Sequence, residues 1–213
     1  VAVIPHGLDL DAFPAAAPDL AARRRERHGK LVVGYLARAC AEKGLDQLLR
    51  ALPALAARHD VEVWAAGATV DAERGYIAEC EGLATSLGVA DRYRWMGQVD
   101  RPGKLALLRS IDVFAMPTVH PEAKGLPVIE ALAAGVPVVA PNHGAFPELL
   151  SGAGGLLHVP NDPADLALVL RIVLDDPARA AALGAAGHAR VRERHTFATM
   201  AAGHEAVYAE VLA

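Results

Sequence analysis

The stretch that decides the fold runs from His120 to Pro141 and reads HPEAKGLPVIEALAAGVPVVAP. Its central part, residues 126–134, is mostly apolar and ends before Gly135, a pattern that predicts a helix closed by a glycine. The short apolar run 136–140 follows directly and is typical of a buried strand. A helix that leads straight into a buried strand indicates a parallel sheet covered by helices on both faces.

The same alternation of strands and helices extends along the whole chain. The predicted strands cover residues 31–36, 61–66, 93–96, 111–116, 136–140 and 155–159. The predicted helices cover residues 45–58, 72–87, 103–110, 126–134 and 146–151, and the chain is helical from Pro163 onward with breaks near Gly184, Gly187 and Thr196. This order predicts an α/β fold, a doubly wound, Rossmann-like parallel sheet with a helical C-terminal extension. Val1 to Pro5 reads as a further strand, and residues 15–22 read as an Ala/Pro linker.

Composition narrows the class of protein. The chain has 213 residues, of which 53% are hydrophobic and 22% charged, as in globular proteins. A net charge of −4 gives no reason to expect nucleic acid as a partner, and the basic cluster at 23–28 is interpreted as a solvated helix face. No apolar run approaches the roughly 20 residues that a transmembrane helix needs. Two cysteines without a CxxC motif favour a reducing, cytoplasmic location.

Two cations follow the first strand of the predicted sheet. Ligands of such sheets bind at the carboxyl ends of the strands, and the segment 34–44, GYLARACAEKG, places Arg38 and Lys43 there. Cations beside a helix N-terminus are suited to a diphosphate. The alternative is a solvated arginine and a lysine that merely flanks the helix.

Two carboxylates, Glu122 and Glu130, lie eight residues apart, one before the predicted helix and one inside it. The backbone N–H groups around Gly125 and Leu126 would be free at the helix start and could bind phosphate, and the carboxylates could accept hydrogen bonds from sugar hydroxyls. Glu130 could instead be an ordinary helix carboxylate. Its position in an apolar run makes this less attractive, because a buried glutamate needs a partner.

The segment 142–148, NHGAFPE, follows the fifth predicted strand and enters a helix. Gly144 could let the backbone approach a ligand. Glu148 could contact that ligand or act as a helix-start carboxylate favoured by the helix dipole. Both readings of Glu148 stay open.

Taken together, these motifs make the chain similar to the C-terminal, donor-binding half of GT-B glycosyltransferases of the family 4 type. The likeness extends over essentially the whole chain and is carried by the Arg-x4-Lys pair, the Glu-x7-Glu pair, the GVPVV run at 135–139, the Gly-x3-Glu at 144–148 and the IPHGLD opening at 4–9.

The resemblance implies retaining transfer of a sugar from a nucleotide-diphosphate donor. In that reading Arg38 and Lys43 hold the diphosphate and Glu122 lies near the sugar, and these three residues form the catalytic set. The resemblance places Glu130 on the ribose and the base near Gly97 and Gln98. It also implies no bound metal and no other cofactor, and the scattered histidines show no metal-ligand spacing.

Two residues depart from the family pattern. His6 stands where asparagine is common and is interpreted as structural. Lys124 stands where the family often has an aromatic residue. It could add a third cation at the phosphates or project into solvent. The donor-binding set implied by the resemblance consists of Gly97, Gln98, Lys124, Gly125, Leu126, Glu130, Gly144 and Glu148.

The resemblance also implies a division of the chain. Residues 1–30 would be an inter-domain hinge strand and linker, 31–195 the nucleotide-sugar-binding domain, and 196–213 a helix that packs on an N-terminal acceptor-binding domain missing here. The chain alone is then expected to be inactive and to self-associate through its opening strand and final helix. Two alternatives are a non-catalytic nucleotide-sugar-binding or interaction module and another GT-B-fold enzyme such as a sugar epimerase.

Overall fold

A parallel sheet of six strands lies at the centre of the structure, a computed structural model that describes residues 2–14, 16–17, 19–70 and 73–212. The strand order is β3-β2-β1-β4-β5-β6, and every neighbouring pair is parallel. The strands are β1 (Leu31–Leu36), β2 (Val61–Ala66), β3 (Tyr93–Trp95), β4 (Val113–Ala115), β5 (Val138–Pro141) and β6 (Gly155–His158). This order confirms the doubly wound fold that the sequence predicts.

Helices cover both faces of the sheet. They are α1 (Leu20–Glu26), α2 (Leu45–Ala56), α3 (Arg74–Ser86), α4 (Arg101–Ser110), α5 (Leu126–Ala133), α6 (Phe146–Leu150), α7 (Pro163–Leu174), α8 (Pro177–Arg194) and α9 (Phe197–Leu212). One hydrophobic cluster joins α2, α3 and α7 to the sheet, and a second joins α4, α5 and α6 to its other face. All six residues of β1 are buried, as a strand covered on both sides requires. Among the described residues, no helix is long and apolar enough to cross a membrane.

Of the two breaks predicted in the C-terminal helices, the one near Thr196 is confirmed, because α8 ends at Arg194 and α9 begins at Phe197. The one near Gly184 and Gly187 is wrong: the interruption lies at residues 175–176, and α8 continues through both glycines. Both glycines allow close packing: a Cβ on Gly187 would lie 2.8 Å from the Cα of Gly154, and one on Gly184 would overlap the carbonyl oxygen of Gly135. The glycines therefore mark where α8 packs on its neighbours, not where it ends.

The predicted opening strand is also wrong in the part that can be compared. Val1 lies outside the described residues, and residues 2–5 form no strand. Instead, Leu8 makes an isolated parallel bridge with Thr196, and its N–H donates to the carbonyl of His195. The N-terminal segment is thus fixed at the junction between α8 and α9.

The predicted Ala/Pro linker contains the start of a helix. Asp19 caps α1 by accepting from the N–H of Ala22. Two linker residues, Ala15 and Pro18, lie outside the described residues, and so does Ala72, the first residue of the predicted helix 72–87. The interpretation of residues 23–28 as a solvated face is wrong for Arg24 and Arg27. Both contact the fully buried Asp112, at 3.4 and 2.6 Å.

The strand order places the functional candidates. From β1 the chain adds strands on one side of the sheet up to β3, and it then crosses back to add β4, β5 and β6 on the other side. The boundary between β1 and β4 is the switch point, where doubly wound sheets form a crevice outside the carboxyl ends of the strands. The segment after β1 carries Arg38 and Lys43, and the segment after β4 carries Glu122. These two segments meet at that point.

Candidate functional site

Lys43 and Glu122 face each other where the exits of β1 and β4 meet. Lys43 ends a short 3-10 turn, Ala41–Lys43, and Gly44 then adopts a left-handed conformation with φ 70° before α2 begins. A Cβ on Gly44 would overlap the carbonyl oxygen of Pro117, so a glycine is needed for the close approach. The Nζ of Lys43 lies 2.5 Å from Oε2 of Glu122.

The environment of Glu122 favours its charged form. Burial alone would raise the pKa of this carboxyl group, but the hydrogen bond and charge of Lys43 and the backbone N–H groups of Lys124 and Gly125 outweigh burial and lower the pKa. Gly125, with φ 61°, starts α5 in a left-handed conformation. The N–H group of Gly125, which the sequence assigns to phosphate, therefore bonds to a carboxylate of the chain itself.

Arg38 lies at the same exit of β1 but has acidic partners of its own. Its guanidinium group is 3.6 Å from the carboxylate of Glu42 and 3.5 Å from that of Glu73, just before α3. About half of the Arg38 side chain is exposed. The guanidinium group can therefore be reached from solvent, and an incoming phosphate would compete with two carboxylates for it.

Glu130 lies on α5 and has the partner that a nearly buried glutamate needs. Its Oε1 accepts a hydrogen bond from Nζ of Lys104 on α4, and the two side chains are only 15% and 28% exposed. Sequence reasoning required a partner for Glu130 but missed Lys104, because the pairing depends on how α4 packs beside α5.

Glu130 and Lys104 line a cavity of about 370 Å³ beside β1, together with Gln98 and Pro127. The backbone at this cavity is fixed by a hydrogen bond from the N–H of Gly67 to the carbonyl of Gly97, which has φ 71°. The cavity adjoins the strand exits that carry the predicted base-binding residues.

The loop after β5 packs directly on the loop that carries Glu122. Gly144 has φ 58°, and a Cβ there would lie 2.5 Å from the carbonyl oxygen of Glu122. The next residue, Ala145, donates its N–H to that same oxygen over 2.8 Å. Gly144 thus serves a contact between two loops, a role that the sequence interpretation did not consider.

The structure does not gather every predicted site residue into one cavity. Lys124 and Glu148 are exposed and line another cavity, of about 190 Å³, with His6 and Arg194. Leu126 occupies the first position of α5, between Gly125 and Pro127. Across the described ranges, no group of three or more His, Cys, Asp or Glu side chains could hold a metal ion.

A doubly wound sheet with a switch-point crevice is the architecture of a large class of domains that bind phosphorylated ligands. Within that class the chain has a definite family. It belongs to the glycosyl transferases group 1 family, whose model matches residues 18–190.

Curated relatives and a solved structure agree with this family. The chain is 32% identical over 208 residues to a GDP-mannose-dependent monoacylated alpha-(1-6)-phosphatidylinositol monomannoside mannosyltransferase of Corynebacterium glutamicum, covering 92% of the chain and 53% of the relative. It is 33% identical over 209 residues to a glycogen synthase of Mycobacterium tuberculosis, covering 98% and 48%. Anabaena HepE in complex with UDP matches with a TM-score of 0.83 and 25% identity, covering 96% and 56%. The chain spans about half the length of the curated relatives it matches.

Proposed function

We propose that this chain is the donor-binding half of a retaining glycosyltransferase of the family 4 type, which transfers a sugar from a nucleotide-diphosphate sugar. The observation that carries the proposal is the contact between Lys43 and Glu122 at the switch point. It puts a cation and a carboxylate side by side, where such sheets bind their ligands.

In this function the cations act on the leaving group. Departure of the nucleoside diphosphate builds negative charge, and preorganised cations aimed at it stabilise the transition state. A cation about 4 Å from a phosphate oxygen contributes roughly 4 kcal/mol at an effective dielectric constant of about 20. We assign this role to Arg38 and Lys43, which makes a bound metal or other cofactor unnecessary. On donor binding, the Lys43 ammonium group would be shared between Glu122 and the phosphates.

The remaining residues would bind the rest of the donor. We place Glu122 at the sugar hydroxyls and Glu130, held by Lys104, at the ribose, with the base in the cavity beside Gln98. GDP-mannose is the donor we propose to test first, because the Corynebacterium relative is described as GDP-mannose-dependent. UDP is the alternative nucleotide, since it is bound to HepE.

The acceptor site would lie in a second domain. Helix α9 has no buried residue, and its Phe197, Tyr208 and Val211 side chains are 55%, 62% and 76% exposed. An apolar helix surface of this kind is suited to packing on another domain. We therefore propose residues 31–195 as the donor domain and 196–213 as the contact with the acceptor domain, and we expect the chain alone to bind donor without transferring sugar.

Calorimetry of the 213-residue chain with GDP, UDP and ADP tests the donor site. Binding of one diphosphate supports the proposal and identifies the base, and the Glu130→Gln variant should weaken that binding about tenfold through loss of a charged hydrogen-bond acceptor. Glu62→Gln is the matched control, because Glu62 pairs with Lys30 at the other end of the sheet. Absence of binding by all three nucleotides would contradict the proposal.

A non-catalytic nucleotide-sugar-binding module is the second candidate. It is favoured by the carboxylate partners that Arg38 and Lys43 have within the chain itself. Assay of the two-domain protein separates the candidates: transfer supports the enzyme, and tight diphosphate binding without transfer supports the module.

A further inference from the structure

A histidine in the loop after β5 holds the start of the loop that carries Glu122. The Nε2 atom of His143 lies 3.0 Å from the backbone carbonyl oxygen of Thr118. A carbonyl oxygen can only accept, so Nε2 must carry the hydrogen and donate it. This fixes the tautomer of a neutral His143 side chain, with the hydrogen on Nε2 and not on Nδ1.

Besides the ion pair of Glu122 with Lys43, three hydrogen bonds hold the loop 118–124 to other segments. The N–H of Val119 donates to the carbonyl of Glu42 over 2.9 Å, and the carbonyl of Glu122 accepts from the N–H of Ala145. These two contacts are made by backbone atoms on both sides. The third contact, from His143 to Thr118, is made by a side chain, so a single substitution can remove it.

The bond to Thr118 is the one hydrogen bond of the His143 ring among the described residues. Its Nδ1 atom is buried and has no hydrogen-bond partner within the described residues, and the same holds for the hydroxyl of Thr118. Phe146 packs near the imidazole ring, with 6.2 Å between the ring centroids. The ring thus packs near Phe146, and its Nε2 N–H donates to the loop that carries Glu122.

We propose that His143 is a positioning residue for sugar transfer, acting through the carbonyl of Thr118 to set the loop that holds Glu122 against Lys43. The expected effect on sugar transfer rests on the proposed function. The effect of His143 on the loop can be tested even if the proposed function is wrong. The backbone that carries Arg38 and Lys43 follows β1 and is not part of this loop. Losing His143 should therefore affect turnover more than donor binding.

Three substitutions, with a fourth in reserve, separate positioning from general stability. His143→Leu removes the donor, whereas His143→Gln supplies an amide N–H at a similar reach. His120→Leu, on the same loop but exposed, is the matched control. His143→Asn, whose amide is too short to reach Thr118, replaces the leucine variant if that variant does not fold.

In the two-domain protein, we expect His143→Leu to lower kcat about tenfold or more while donor KM changes less than about threefold. His143→Gln should return kcat to within about threefold of the unmodified enzyme, and His120→Leu should match that enzyme. A wild-type kcat in His143→Leu, or an equal loss in His143→Gln, would overturn the proposal.

Amide hydrogen exchange of the 213-residue chain gives a readout that needs no activity. Exchange at residues 119–125 should become about tenfold faster in His143→Leu but not in His143→Gln, with the same melting temperature. Unchanged exchange in the leucine variant would overturn the positioning role even if transfer is observed. If the unmodified protein neither binds nor transfers a nucleotide sugar, the proposed function fails and the exchange result still decides the role of His143.

Discussion

Lys43 Nζ lies 2.5 Å from Glu122 Oε2, although 79 positions separate the two residues in the chain. The pair forms because β1 and β4 are neighbours in the sheet, so that the segments leaving them converge. The side chains are only 25% and 18% exposed, so salt screens the pair less than it would a surface ion pair. The contact holds the Lys43 ammonium group within the crevice.

Replacing Lys43 by alanine should slow sugar transfer by a factor on the order of 10² to 10³. The loss reflects transition-state charge stabilisation of about 3–4 kcal/mol by one preorganised cation. Single-turnover kinetics of the proposed two-domain enzyme measure it. Lys30→Ala is the control, since Lys30 precedes β1 at the opposite end and pairs with Glu62 at 2.6 Å. Near-normal turnover in Lys43→Ala would remove Lys43 from the mechanism.

The lowered pKa of Glu122 predicts a pH-dependent contribution to stability. In the folded chain this pKa lies below its usual value of 4.5, so the carboxylate stabilises the fold fully above that pH, and the contribution is lost as pH falls through the folded pKa. Glu122→Gln should therefore reduce the free energy of unfolding by about 1–2 kcal/mol near pH 7, and the difference should shrink in acid. Urea titrations of both proteins between about pH 3 and pH 7, an interval that includes this usual value, measure it. A difference that stays constant over that interval would contradict the assignment.

The sheet could be predicted from sequence because its signals are local. Each strand is a short apolar run, and burial on both faces of a parallel sheet makes that run nearly continuous, as in the segment 31–36. The segment 136–140 was predicted as a strand for the same reason, and the observed strand is shifted to Val138–Pro141. Element ends depend on hydrogen bonds with neighbouring strands, which local patterns do not specify.

The ion pairs of Glu130 and of Asp112 could not be predicted, because each joins distant parts of the chain. Lys104 and Glu130 are 26 positions apart, and Arg27 and Asp112 are 85 apart. Periodicity shows that Glu130 lies in an apolar run, but only the packing of α4 beside α5 supplies its cation. The same limit explains why Arg24 and Arg27 were read as solvated: their partner, Asp112, becomes visible only when α1 is seated on the sheet.

Gly144→Ala should destabilise the chain more than Gly152→Ala does. Both glycines have positive φ, 58° and 73°, so the backbone strain of an alanine should lower the unfolding free energy by about 1 kcal/mol at each position. A Cβ at position 152 meets nothing within 4 Å, whereas one at 144 lies 2.5 Å from the carbonyl oxygen of Glu122. Thermal unfolding measures the stability that Gly144→Ala loses beyond the loss in Gly152→Ala. This difference comes from the clash with the loop that carries Glu122. Equal losses would show that the two loops do not pack closely.

Asp112→Asn should cost about 3–5 kcal/mol of unfolding free energy, because it leaves buried positive charge without compensation. Asp112 is fully buried and contacts Arg24 and Arg27, which are 12% and 18% exposed, and it also accepts from the N–H of Val32 at 2.7 Å. An asparagine keeps the shape of the side chain and one acceptor oxygen, so the loss would arise mainly from the missing charge.

Asp19→Asn is the matched control for this change. Asp19 and its partner Arg25 are 65% and 72% exposed, and asparagine caps a helix about as well as aspartate does, so the expected loss is below about 0.5 kcal/mol. Asp112 precedes β4 and lies at the opposite end of the sheet from Lys43. Asp112→Asn should therefore lower the urea midpoint while leaving nucleotide affinity unchanged under conditions where the variant is folded. A midpoint shift no larger than that of the control would mean that α1 is not anchored through Asp112.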